Sequence, residues 1–252
     1  MRKIAVILLA LLGGLWQASA ATRTDVNVLE ATENIRYLSQ EITKDYLYLY
    51  ANPRKREISE QIRRELDKLV ENIRTISLST SDEDTRNILE FLTYSKDQIE
   101  ELVRQKPDKE KAALMLDYSE TLLEGANSIA QAHSYDFTES EKMLMKGKRM
   151  EYLLERSAKY YMALGVGLGS EINRRQMKDS IQKLEESIRE FEAYTYPPEM
   201  KESQGLLRRS WETTRGLLER QKDLFVSNLV VLASKEMESI TRAFVLYHRK
   251  AK

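Results

Sequence analysis

The side chains best suited to ligand chemistry in this 252-residue chain are concentrated between Arg36 and Tyr50. Arg36 offers a planar fork of donors that matches an oxyanion. Its plainer alternative is a surface ion pair with Glu33 or Glu41. Tyr37, Tyr46, Tyr48 and Tyr50 follow, and Tyr152, Tyr160 and Tyr161 form a second group. Tyrosine joins apolar bulk to a polar tip, which suits either a pocket between helices or ordinary core contact.

Other candidates carry less. Gly165-Val166-Gly167-Leu168-Gly169 has the glycine spacing of a phosphate loop. It follows a helix and lacks the lysine-serine ending, so it reads as a turn. His133 and His248 are the only histidines, and neither has a second histidine or a cysteine at metal-ligand spacing. They fall near expected helix C-termini, where a partly protonated imidazole is favourable. Carboxylate pairs such as Glu185/Glu186 are common on this charged surface and single out no acid or base. With no serine–histidine or cysteine–histidine constellation, the expectation is a non-enzymatic protein without metal or cofactor.

The bulk properties narrow the class. The chain holds 40 basic and 40 acidic residues, and without Arg2 and Lys3 the basic count is 38. That balance gives no general attraction for nucleic acid. Zero cysteines exclude disulfides and thiolate metal sites, so packing alone must hold the fold. Residues 1–20 have the form of an export signal: Arg2 and Lys3, an apolar run from Ile4 to Leu15, and Ala18-Ser19-Ala20 as cleavage site. The expectation is a periplasmic chain cleaved after Ala20, with no transmembrane segment in its mature part.

The elements that must position these residues are helices throughout. Ile58, Ile62, Leu66, Leu69, Ile73 and Ile76 recur at steps of three and four, the stripe of a bundle helix. Breaks fall at Asn52-Pro53, at Leu78 to Asp82 with Thr80 and Ser81 as caps, and at Pro107-Asp108. Further on, Thr138 with Glu141 forms a capping box, and Gly165 to Gly169 and Tyr196-Pro197-Pro198 are turns. The spacing predicts helices near 24–52, 54–78, 82–106, 108–134, 138–165, 170–194, 198–221 and 223–250. A turn near Lys222 is favoured over one continuous rod for the last two.

The chain also repeats itself. Tyr37/Tyr152, Leu38/Leu153, Lys44/Lys159 and Tyr46/Tyr161 share an offset of 115 residues. The offset persists in Lys68/Lys183, Leu69/Leu184, Glu71/Glu186, Ile73/Ile188 and Arg74/Arg189. Four helices with short links bury their apolar faces as an antiparallel bundle. The expected fold is all-α: two tandem antiparallel four-helix bundles, elongated, over 21–135 and 136–252. The fourth helix is expected to run almost directly into the fifth.

With the first helix placed, Val26-Asn27-Val28-Leu29, Arg36-Tyr37-Leu38-Ser39-Gln40 and Lys44-Asp45-Tyr46-Leu47 resemble the opening helix of the PilJ-type sensory domain. That domain stands at the N-terminus of type IV pilus methyl-accepting chemotaxis transducers and is similar to the periplasmic sensor of nitrate/nitrite-responsive histidine kinases. Leu122-Leu123-Glu124-Gly125-Ala126-Asn127 resembles its fourth helix. This chain has Tyr37 in place of the family's methionine and Glu41 in place of its second arginine. The second copy keeps Tyr152-Leu153, Lys159, Tyr160 and Tyr161 and has Glu151 at the arginine position.

The resemblance implies a periplasmic sensory bundle in which the first arginine binds an anion at a dimer seam. Arg36 inherits that role here, with Ser39 and Gln40 beside it as further ligand candidates. The expected ligand is a small anion or small molecule. The expected partner is a membrane receptor, sensor kinase or pilus component, with a homodimer as a further possibility. The alternative is a structural or protein-interaction module of the cell envelope that has lost ligand binding.

Overall fold

The computed structural model describes residues 26–55, 57–133, 135–221 and 224–251, and the export-signal reading of residues 1–20 lies outside them. Eight helices run through the described residues: α1 (Arg2–Ala51), α2 (Arg56–Ser79), α3 (Glu83–Arg104), α4 (Lys109–Ala132), α5 (Glu139–Gly165), α6 (Glu171–Ala193), α7 (Pro198–Glu219) and α8 (Ser227–Lys250). No strand occurs among the described residues. No helix there is long and apolar enough to cross a membrane. The fold is all-α, and α7 and α8 are separate helices.

Local chemistry sets the helix ends. Thr138 and Glu141 form the capping box that opens α5, each satisfying a backbone N–H of the other's turn. Asp108 caps α4 by accepting from the Lys111 N–H at 2.9 Å. The cap of α3 is Asp82, which accepts from the Thr85 N–H at 2.7 Å, and not Thr80 or Ser81. A carboxylate at this position also suits the positive end of the helix. Thr80 instead accepts from the Asp82 N–H. After α5 the chain reverses through Gly167, whose φ of +80° is open to glycine without strain.

Each half is an up-and-down four-helix unit. α1 packs on α2 and α4 with α3 closing the ring, and α5 packs on α6 and α8 with α7 closing the other. Ile58, Ile62, Leu66, Leu69 and Ile76 are buried in the first unit, and Ile73 is half-buried against it. In the second unit Trp211, Phe191 and Phe244 are fully buried. Burial of one such side chain stabilises by roughly 1.5–3 kcal/mol.

The two units lie side by side. The link expected between 134 and 138 is slightly longer, as the chain leaves α4 at Ala132 and re-enters helix at Glu139. α5 then returns along α1. Asn34 meets Lys148 and Lys44 meets Glu155, so numbering rises together on both helices and the pair is parallel. α1 and α5 make the most extensive helix pairing among the described residues. Gly147 lets α8 close onto α5, because a Cβ there would stand 2.8 Å from Val245 Cγ2.

Candidate functional site

The first helix of each repeat becomes the centre of the fold. From Leu38 to Leu49 on α1, and from Leu153 to Ala163 on α5, every residue is buried. A helix enclosed on all sides is ordinarily apolar. These two carry Glu41, Lys44, Asp45, Glu155, Arg156 and Lys159, whose charges must be answered inside the protein.

On the side facing α2 and α8, one ammonium meets four carboxyl groups. Lys44 Nζ lies 2.6 Å from Glu155 and 3.3 Å from Asp45. Gln61 of α2 donates to Asp45 at 2.6 Å and to Glu65 at 2.8 Å. Glu41 Oε2 and Glu65 Oε2 are buried without a hydrogen-bond partner. Burial opposes the charge of Lys44, but Asp45, Glu155 and Glu41 together hold its pKa well above the lysine value. Burial pushes Glu155 up to about 8 and Glu65 to about 10, with Glu41 adding repulsion to both and Lys44 opposing. Glu41 is also raised, by burial first, with Lys44 opposing and Asp45 and Glu238 adding to it. The cluster therefore keeps its lysine charged and retains protons on carboxyl groups at neutral pH.

On the side facing α4 and α6, the cations are in excess. Arg156 makes two parallel bonds of 2.9 Å to Glu120 of α4 and a third to Gln176 of α6. Lys159 pairs with the same Glu120 and donates to Ser119 at 2.9 Å. Its ammonium lies 4.3 Å from the centre of the Tyr160 ring. Burial lowers Lys159 to about 8 despite Glu120. Burial alone would raise Glu120, yet Lys159 and Arg156 bring it down to about 2.

Above the Lys44 cluster the two units leave a notch of ≈ 370 Å³ between α1, α2, α5 and α8. Lys68, Lys148, Arg242 and Arg249 line it, against Glu71 and Glu151. Tyr37 stands at its inner wall and donates to Glu238 of α8 at 2.8 Å. Arg242 pairs with the same Glu238, Arg249 with Glu30 at 2.9 Å, and Lys148 donates to Asn34 at 2.8 Å. Glu238 and Glu30 are each partly exposed, so an incoming anion exchanges one acceptor for another at these cations.

The three residues singled out in the sequence do not converge on this notch. Arg36 is paired with Glu33, the plainer of its two readings. Ser39 donates to the Arg36 carbonyl and accepts from Gln40 at 2.8 Å, and both are fully buried. Gln40 Oε1 has no hydrogen-bond partner. The tyrosines divide. Tyr46 and Tyr161 are fully buried core, whereas Tyr37 and Tyr48 bridge to Glu238 and Asn228 of the other unit.

Both histidines sit at helix C-termini, with His133 as the C-cap of α4 and His248 in the last turn of α8. His248 is buried against Tyr194, Tyr196 and Tyr247, and burial lowers its pKa. Desolvation thus overrides the favourable helix end expected for a protonated imidazole. Glu185 is an acceptor for Arg189, Arg208 and Trp211, which bring its pKa down to about 2 against the effect of burial. No group of three or more His, Cys, Asp or Glu among the described residues is placed to hold a metal ion.

The residues missed in the sequence are Glu41, Glu65, Glu155 and Glu238 on one side and Glu120 and Arg156 on the other. The sequence offers Glu41 as a departure from the family pattern and as a partner for Arg36, but Arg36 pairs with Glu33 and Glu41 faces the Lys44 cluster. No family model, no curated protein and no solved structure matches the chain.

Proposed function

We propose that the protein is a non-enzymatic sensory or ligand-binding helical module that takes a small anion in the notch between its two units. In this reading it is exported, acts in the periplasm and reports occupancy to a membrane receptor, sensor kinase or pilus component. The observation that carries the reading is the make-up of the notch. Its walls come from both units, and four of its lining residues are cations. A ligand held there touches both halves of the molecule at once, so its binding energy bears on how they are set against each other.

The test is thermal unfolding with nitrate, nitrite, sulfate and small carboxylates. A ligand specific to the folded state raises the midpoint, by an amount equivalent to about 2.7 kcal/mol at a hundredfold excess over Kd. The shift is expected in the native protein and lost in Arg242→Gln. If no anion moves the midpoint, the reading is wrong.

A second reading, a protein-interaction module of the cell envelope, is favoured by the start of α8. Leu224, Leu229 and Leu232 are exposed there, with Phe225 partly so. Co-purification of a partner that is lost in Leu229→Lys, together with no response to anions, supports it.

A further inference from the structure

The notch and the buried charge cluster share a wall. Tyr37 and Arg242 line the notch, and both hold Glu238 of α8. On its inner side, the charge of Glu238 acts on Glu41 and Glu155. Glu238 therefore stands between a site open to solvent and a cluster sealed from it.

We propose that in alkaline solution an anion entering the notch is taken up together with a proton, which is stored in the Glu41–Lys44–Glu155 cluster beneath it. This rests on the reading of the notch as an anion site. An anion drawn to Arg242 competes with Glu238 for the guanidinium. The charge of Glu238, no longer neutralised, then acts in full on Glu41 and Glu155. A carboxyl group that gains a like-charged neighbour binds its proton more firmly. No bond beyond the O–H is made, and the proton comes from solvent.

The surroundings of the cluster fix the sign. Facing it are Tyr37, Glu41, Lys44 and Asp45 of α1, Glu65 of α2, Glu155 of α5, and Glu238 of α8. Around Glu238 stand Arg242 of α8 and Glu151 of α5, itself beside Lys148. Arg156 and Lys159 of α5 point the other way, to Glu120 of α4. One ammonium among four carboxyl groups leaves room for a proton and none for a further negative charge. Glu155 releases its proton near pH 8 in the free protein, and a bound anion moves that release upward. Between the two values the complex holds a proton that the free protein has lost. Anion affinity is therefore independent of pH well below 8 and declines above it, by up to about tenfold per pH unit for one linked proton.

The experiment is calorimetric titration of the full chain with sulfate, which does not itself titrate in this range. It is run at about pH 6 and about pH 8.5, in buffers of different ionisation enthalpy. The expected result is sulfate binding at both values, with proton uptake only at the higher. Glu155→Gln is expected to bind sulfate without uptake; if that variant does not fold, Glu41→Gln, which removes a repulsion that raises Glu155, is expected to move the onset of uptake to lower pH. Sulfate binding with no proton exchange, or with proton release, overturns the coupling and leaves the notch as an anion site. Absence of binding at both values by sulfate, and equally by nitrate, nitrite and small carboxylates, overturns both.

Discussion

Lys44 and Lys159 occupy equivalent positions of the repeat, and the fold neutralises them from opposite sides. Lys44 reaches Glu155 across the seam at 2.6 Å, whereas Lys159 turns outward to Glu120 of α4 and to Ser119. The first is surrounded by an excess of carboxyl groups. The second shares its one carboxylate with Arg156. A single inherited position has become a permanent cation in one unit and a titrating one in the other.

Removing the first cation strands the carboxyl groups around it. Lys44→Met is expected to lose about 3–5 kcal/mol at neutral pH, the usual cost of leaving half of a buried pair. The loss is smallest in acid and grows as pH rises through about 8, where Glu155 of the native protein gives up its proton to the benefit of the Lys44 pair. Urea denaturation at two pH values checks this, and a loss independent of pH speaks against the cluster.

The pH dependence of the native protein follows from the same groups. Glu155 and Glu65 have folded values near 8 and 10 against an ordinary 4.5, so the folded state binds more protons than the unfolded chain. Their contribution is fully present below about 4.5 and is lost as pH rises, toward about 8 for Glu155 and about 10 for Glu65, at no more than about 1.4 kcal/mol per pH unit for each group. Lys159 works the other way. Its value is depressed to about 8, so the unfolded chain binds the extra proton and stability is regained from 8 upward. Denaturation midpoints should fall from pH 5 to 8 and flatten beyond, with a shallower fall in Glu65→Gln.

His248 closes the far end of the second unit as a neutral ring. Its Nε2 lies 2.7 Å from the Tyr196 hydroxyl. Tyr196→Phe leaves that nitrogen buried without its partner, at a cost of about 1–3 kcal/mol. Burial lowers the folded value from 6.5, with Glu139 partly opposing, so acid favours the unfolded chain below that pH. An imidazole that titrates at its ordinary value by NMR contradicts this account.

Gly147 tests the closeness of α8. Its missing Cβ is what admits Val245, a buried β-branched side chain that cannot swing aside. Gly147→Ala is expected to destabilise by about 1–3 kcal/mol through overpacking, despite the better helix propensity of alanine. A neutral or stabilising effect in thermal denaturation rejects the packing seen here.

Helix positions were legible because period and breakers are local. The stripe from Ile58 to Ile76, the capping box at Thr138 and the turn at Gly165 to Gly169 each lie where expected. The repeat was legible too, but its meaning in space was not. Glu41, Lys44 and Glu155 follow the spacing of a solvated face, and only the approach of α5 to α1 buries them. The notch escaped for the same reason, since Tyr37, Lys68, Lys148 and Arg242 come from four separate helices. Arg36 drew attention by type and motif, yet Glu33 one turn away satisfies it locally.

The parallel seating of α1 against α5 has a bearing on cooperativity. The boundary between repeats, at 133–138, is not a boundary between melting units, because each half supplies the other's innermost surface. Unzipping one half exposes Lys44 or Glu155 alone and removes the reason for the other half to stay closed. A sequence made of two copies should therefore unfold calorimetrically in one transition, with an enthalpy belonging to the whole chain.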